Sequence, residues 1–406
     1  MDNEKIAEIA SWITEAGLGG WSEAATLGGF CERAVACGLP LARANVVIDT
    51  LHPVYEGRAF TWKRQERETT LSEFGRSPEG SERWQRSPFY RLEVSGATLL
   101  RRRLTAATES EFPIFAELRA DGLTDYIAVA NRFAAEGVIG EIDCVYSSWA
   151  TDAPRGFGDA DIADLNRLMP PFALTLKSAS LARVAETLVE TYLGRDAGKR
   201  VLQGRIRRGV ADRIEAVLWF SDLRSFTRIS DSAAPEQIIP FLNDYADAII
   251  SAIHEQGGDV LKLMGDGVLA IFTAEDRGGA CHASLEAASK ARRAVAAVNR
   301  RRAAESLPTT GMYLGLHAGE VFYGNIGSRD RLDFTVVGPA VNEVSRIAGM
   351  CRSLDQPLLV SSAFASAIGE PKKLLVSVGR YALRGVGRPQ DLYTLENDVE
   401  AFFGES

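Results

Sequence analysis

The sequence predicts an α+β protein of two domains joined by a helical connector, and three observations predict it. The chain has 406 residues, and its composition, 46% hydrophobic and 25% charged, is that of an ordinary globular protein with room for two cores. Helical and strand patterns are mixed through residues 1–175 instead of alternating in strict β–α order. After residue 210, short apolar runs of strand length flank a long segment of helical period.

In the first region, residues 23–38 (EAATLGGFCERAVACG) read as an amphipathic helix closed by Gly38. The apolar strand ANVVID follows and leads into LHPVYEGRAFTWKR. The stretch Gln65–Arg102 is polar, contains SPEGSERWQRSPFY, and reads as a loop or lid. TDYIAVA is a further strand, followed by VIGEIDCVYSSWA and a closing helix, DADIADLNRLMPPFALTLKSASL. In order of elements and length this region resembles a GAF domain. That resemblance implies a sensor or regulatory domain over residues 1–175, served by an unknown small-molecule or protein regulator. Trp62, Trp84, Phe89 and Tyr90 either line a ligand pocket or pack the sheet face. His52, before Pro53, is a candidate haem or metal ligand with no partner in the sequence.

Residues 176–210 form the connector. Leu181, Val184, Leu188 and Tyr192 recur at spacings of three and four. Such a stripe suits pairing with a second copy of itself or packing on the preceding domain. The basic run LGRDAGKRVLQGRIRRG follows, and Gly194, Gly198, Gly204 and Gly209 are expected to break the helix into a hinge.

Composition removes several function classes. A formal net charge of -8 argues against non-specific binding to nucleic acid or an anionic membrane. No run approaches the roughly 18 consecutive apolar residues of a membrane helix, and MDNEKIAEIASW lacks a signal pattern. The five cysteines (Cys31, Cys37, Cys144, Cys281, Cys351) include no C-x-x-C pair, so the expected compartment is a reducing cytoplasm. The four histidines are isolated from one another.

The third region opens with EAVLWFSD. Ala216–Phe220 is a continuous apolar run, the mark of a strand buried on both faces, and it ends in Asp222. A carboxylate at a strand end followed by a loop can present a metal ligand, with loop N–H groups facing phosphate oxygens; it can equally cap a helix. Ile238, Phe241, Leu242, Tyr245, Ile249 and Ile253 then recur at helical period, from Pro235 in the first turn to Gly257–Gly258 at the end. In DVLKLMGDGVLAIF, two apolar strands flank Gly265–Asp266–Gly267. Asp-Gly between strands is a hairpin signal, because both residues tolerate positive φ. Asp266 is therefore placed at a hairpin tip with Lys262 on the strand before it, and ordinary turn chemistry would account for it alone.

The combination says more than its parts. FSDLRSFT, GGDVLKLMGDGVLAIF, LGLHAGEVFYGNIG and DFTVVGPAVNEVSRIAG follow in this order, and together they resemble the class III nucleotidyl cyclase catalytic domain over residues 211–397. The resemblance implies a ferredoxin-like βαβ-type fold and the synthesis of 3′,5′-cyclic AMP and pyrophosphate from ATP. It matches Asp222 and Asp266 to two metal-binding aspartates holding two Mg²⁺ or Mn²⁺ ions, with the Leu223 backbone as a further ligand. Phe226 and Thr227, in the loop that follows, are expected to contact substrate. Lys262 and Thr335 match the purine-reading pair, a Lys–Thr combination like that of the class IIIb subgroup. Many family members carry Asp at the threonine position, and guanylyl cyclases typically carry Glu with Cys or Ser at these two positions, so ATP is favoured over GTP.

Asn342 and Arg346 match an Asn-x-x-x-Arg pair, and a spacing of four puts both on one helical face. The resemblance gives the ribose to Asn342 and the charge of the reacting phosphate to Arg346. It implies in-line attack of the ribose 3′-hydroxyl, activated by one metal, on the α-phosphorus. It also implies a homodimer with two interfacial sites, each taking its aspartates from one copy and Lys262, Thr335, Asn342 and Arg346 from the other. The sequence departs from the family where a basic residue binds the triphosphate: Val386 falls near that position in LRGVGRPQDLYTL, leaving Arg384 or Arg388 as substitutes.

Overall fold

A computed structural model describes all residues except 67, 76, 109, 134–138, 141, 370–373 and 396–406. Part of the predicted strand segment VIGEIDCVYSSWA (residues 138 and 141) and the expected end of the catalytic region at 397 lie outside the described residues. The architecture is α+β, and the chain divides into two compact units, Met1–Leu188 and Val189–Ser406.

The first unit begins with α1 (Asn3–Leu18), whose N-terminus is capped by Asp2 and which buries Ile6, Ile9, Ile13 and Ala16 at helical spacing. Ser22 caps α2 (Glu23–Ala36). Strands β1 (Arg43–Asp49) and β2 (Tyr55–Lys63) pair antiparallel. The stretch 65–102 is not a loop. It contains β3 (Thr69–Gly75), α3 (Pro78–Gln85), α4 (Pro88–Ser95) and β4 (Leu99–Arg103). Its polarity has a structural reason: β3 is an edge strand with no buried residue, so it shows no apolar alternation. The two helices start at Ser-Pro, with Ser77 and Ser87 as caps and proline in the first turn. Helix α5 (Pro113–Ala120), β5 (Asp125–Arg132), β6 (Cys144–Thr151) and the 35-residue α6 (Asp159–Leu193) complete the set.

The sheet order is β3-β2-β1-β6-β5-β4, antiparallel throughout. One face packs Trp62 and Trp149 with Phe30 of α2 and Phe172 of α6. A separate core holds Phe89, Phe115, Tyr126 and Tyr146, with Trp84 against it. Trp62 and the Trp84–Phe89 pair therefore belong to different cores and do not line one pocket. For Trp62, Trp84 and Phe89 packing is the alternative realised, and Tyr90 is half-buried. His52 is engaged in its own turn, where Nδ1 accepts from the backbone N–H groups of Val54 (3.1 Å) and Tyr55 (3.3 Å).

Helix α6 carries the first part of the connector. Val184 is buried in the core of the first unit and Leu188 packs on it, whereas Tyr192 is 80% exposed. Gly194 (φ +90°) ends this helix as expected. Gly198 does not break a helix: it lies inside α7 (Arg195–Leu202), where a Cβ would stand 2.9 Å from Glu190 Cα. It serves close approach, not a hinge.

The second unit is built on the long strand β7 (Ala211–Leu223), followed by α8 (Phe226–Ser232) and α9 (Pro235–Glu255). Then come β8 (Asp259–Met264), β9 (Gly267–Phe272), α10 (Arg277–Ala304), β10 (Met312–Gly327) and β11 (Leu332–Val337). Helix α11 (Pro339–Leu354), β12 (Leu358–Ser361), α12 (Ser362–Ala367), β13 (Leu375–Tyr381) and β14 (Gln390–Leu395) close it. The run β7-α9-β8-β9-α10-β10 is the ferredoxin-like βαββαβ plan. The sheet order is β13-β14-β12-β10-β7-β9-β8, with β11 paired to β10.

Alternation along β7 explains the two layers of this unit. Val217 and Trp219 join Phe241, Tyr245 and Phe272 under α9 and α10. Ala216 and Leu218 join Leu269, Tyr323, Phe334 and Val344 on the other face, with Ala197 of α7. Among the described residues no helix is long and apolar enough to cross a membrane.

Candidate active site

Asp222 and Asp266 meet at one end of the sheet of the second unit. β7 delivers Asp222, opposite Tyr313 of β10, at the point where the strand leaves the core. The β8–β9 hairpin delivers Asp266. The predicted hairpin is present, but its two turn residues are Gly265 and Asp266, because Met264 and Gly267 are the closing pair. Only Gly265 takes positive φ (+66°), which is the type II′ demand for glycine at the first turn position. Gly267 instead starts β9, buried. One oxygen of Asp266 accepts from the Leu223 N–H at 3.2 Å, which ties the hairpin tip to the end of β7.

The Asp222 carboxyl is pushed up to about 6. Partial burial is the main cause, and the hydrogen bond and negative charge of Asp266 add to it. The Leu223 N–H and the charge of Arg352 act in the opposite direction. Two half-buried carboxylates in contact are a site short of positive charge. Among the described residues no cluster of three or more His, Cys, Asp or Glu stands ready to hold a metal. Two adjacent carboxylates are what a hard cation such as Mg²⁺ takes when a phosphate supplies its other oxygens. The donor set fits that use.

Beyond Leu223 the chain turns through Ser225, a non-glycine residue at φ +58°, into α8. Phe226 stacks on Phe241 at 6.1 Å, so its side chain is half in the core, and Thr227 is exposed. Their backbone N–H groups belong to the first turn of α8, where donors have no intrahelical partner.

Lys262 is exposed on β8 and forms an ion pair with Asp333 of β11. Thr335 lies two residues further along β11, opposite Gly324. Phe334 and Val336 alternate with Asp333 and Thr335 and are buried, so Asp333 and Thr335 share the outer face of the β10–β11 ribbon. Lys262 and Thr335 thus lie on strands that do not pair with each other but are linked by the Lys262–Asp333 ion pair. Asp333, part of DFTVVG, pairs with Lys262 and lies two residues before Thr335 on β11.

Asn342 and Arg346 are both exposed on α11, one turn apart, and neither side chain has a hydrogen-bond or ion-pair partner among the described residues. Helix α11 is seated on β10 at Gly315, where a Cβ would meet Ala348 N at 2.7 Å and Val344 O at 2.8 Å. Val386 packs beside Leu383 and Leu392, and Arg384 and Arg388 are exposed. No hydrogen bond or ion pair among the described residues links the Asp222–Asp266 group, the Lys262–Thr335 group and the Asn342–Arg346 pair to one another. Arg352, which acts on Asp222, was not singled out from sequence; its only signal there was a positive charge in the last turn of a helix.

Residues 211–397 match the family described as the adenylate and guanylate cyclase catalytic domain. An adenylate cyclase of Anabaena cylindrica is 32% identical over 168 residues, covering 40% of this chain and 33% of that protein. Adenylate cyclase 1 of Rhizobium meliloti is 26% identical over 257 residues, 62% of this chain and 38% of that protein. The chain thus spans only about a third to two-fifths of the length of these curated relatives. The crystal structure of the guanylyl cyclase Cya2 is 27% identical, with 46% of this chain and 96% of that chain covered and a TM-score of 0.41. The match to the adenylate and guanylate cyclase catalytic domain thus takes in residues 211–397, a little under half of the chain.

Proposed function

We propose that this chain is an adenylyl cyclase, converting ATP to 3′,5′-cyclic AMP and pyrophosphate at sites shared by two copies. The observation that carries the reading is the Asp222–Asp266 pair: two touching carboxylates at a strand end, short of positive charge, beside a loop of free backbone donors. Two Mg²⁺ or Mn²⁺ ions on these carboxylates and the Leu223 carbonyl would neutralise the triphosphate and lower the pKa of the ribose 3′-hydroxyl. The hydroxyl oxygen forms a bond to the α-phosphorus while the bond from that phosphorus to the bridging oxygen of the β-phosphate breaks, releasing pyrophosphate. The hydroxyl proton passes to water or to Asp222. Phe226 and Thr227 offer backbone N–H groups to phosphate oxygens. Asn342 orients the ribose, and Arg346 donates to the charge that grows on the α-phosphate. Lys262 and Thr335 hold the adenine.

A second copy is supported by the outer face of the β10–β11 ribbon. Phe322 and Val337, direct cross-strand partners, are 48% and 43% exposed, and Ile326 lies on the same face. Leu263 and Met264, next to Lys262, are exposed too. An apolar group of this kind around the base-reading residues suits a surface closed by another copy. The first unit is assigned a regulatory role over this reaction.

The test is direct. Purified protein is incubated with ATP or GTP and with Mg²⁺ or Mn²⁺, and the product is identified. Cyclic AMP is expected, with ATP the better substrate. The reading is lost if no cyclic AMP forms with either metal, including after removal of residues 1–175. Preference for GTP would reassign it as a guanylyl cyclase.

A further inference from the structure

We propose that Asp333 is the residue that accepts the adenine amino group, and so sets the purine specificity of the site; this rests on the adenylyl cyclase reading above. The Asp333 carboxylate holds Lys262 Nζ with one oxygen, while its other oxygen accepts nothing from any described residue. Asp333 faces outward on the same side of β11 as Thr335, because Phe334 between them is buried. Its ribbon partner Ile326 is 37% exposed, so the partly exposed carboxylate has an apolar neighbour on the same face.

Hydrogen-bond chemistry assigns the roles. The pairing edge of adenine offers one acceptor, N1, and one donor, the 6-amino group. Lys262 has three N–H donors and no acceptor, so it can take N1 but never the amine. The Thr335 hydroxyl serves as donor or acceptor and cannot by itself reject a wrong purine. Asp333 is the acceptor-only member of the three, and its ion pair fixes it beside the lysine. An ion pair this exposed contributes little to stability. Its effect is on recognition: it sets a donor and an acceptor side by side, the pattern a purine edge needs.

The test removes one atom group from each side of the contact. Wild type and Asp333→Ala are compared with ATP and with purine riboside triphosphate, which lacks the 6-amino group. The readouts are kcat/KM and the Kd of the unreactive 3′-deoxy nucleotides. Wild type is expected to prefer ATP by roughly tenfold or more, the scale of a charge-assisted hydrogen bond. Asp333→Ala should lose that preference, falling with ATP but hardly at all with the analogue. Asp333→Asn, which keeps the shape and serves if the alanine variant folds poorly, should show the same loss. An equal fall with both nucleotides, or an unchanged preference, overturns the assignment and leaves the cyclase reading standing. Failure of wild type to bind or convert ATP overturns both.

Discussion

Asp222 and Asp266 repel when no cation lies between them, and that repulsion has a sign that can be measured. The folded-state pKa of Asp222 is raised to about 6, above the ordinary 3.8, so the fold favours the protonated acid. Its contribution to stability is fully present below the ordinary value and is lost as pH rises through about 6. Metal-free protein should therefore lose thermal stability between pH 4 and pH 7, and Asp222→Asn should lose less of it. Adding Mg²⁺ at pH 7 should restore wild type and leave the variant nearly unmoved. Thermal melts in chelator across that range check this, and equal slopes for the two proteins would contradict the paired-acid account. The same residues mark what was legible at this scale. Asp222, Asp266, Asn342 and Arg346 were readable because they fall in four ordered blocks that resemble one family; a strand end, a turn or a helical spacing alone left other roles open. Asp333 and Arg352 were not, because their significance comes from what the fold brings beside them.

At the scale of elements, helices α2 and α9 and strands β1, β5, β7, β8 and β9 followed from apolar patterning, α1, α10 and β12 to β14 were not read, and several misreadings have physical causes. The edge strand β3 buries no side chain, so residues 69–75 carry no strand pattern to read. The hairpin was legible from Gly265–Asp266–Gly267, yet its register was one residue off, since two glycines flank the aspartate and either could supply the positive φ. Gly198 was read as a breaker where it serves close packing. Gly315 is the element-scale feature with the clearest consequence. A methyl group there would collide with the α11 backbone, so Gly315→Ala must push the helix bearing Asn342 and Arg346 off the sheet. It should cost about 1–3 kcal/mol in denaturant unfolding, the usual range for overpacking. Turnover should fall more than the stability loss accounts for, because the reacting groups shift together.

At the scale of the whole molecule, the first unit was legible as helices around a sheet, and its core arrangement was not, because packing against one sheet face or the other leaves the same aromatic pattern in the sequence. The second unit was legible because four motifs constrain one another in order. The central claim is that a reaction site joins Asp222 and Asp266 of one copy to Lys262, Asn342 and Arg346 of another. Co-expression of two inactive chains tests it most directly. Asp266→Ala and Arg346→Ala should each fall by about 10²-fold or more in cyclic AMP formation when expressed alone. Together they should recover about a quarter of wild-type activity: half the dimers are mixed, and each mixed dimer keeps one intact site of two. Cyclic AMP from the pair but from neither variant alone is the predicted result. Silence of the co-expressed pair while wild type is active, or undiminished activity of either variant by itself, would contradict the account.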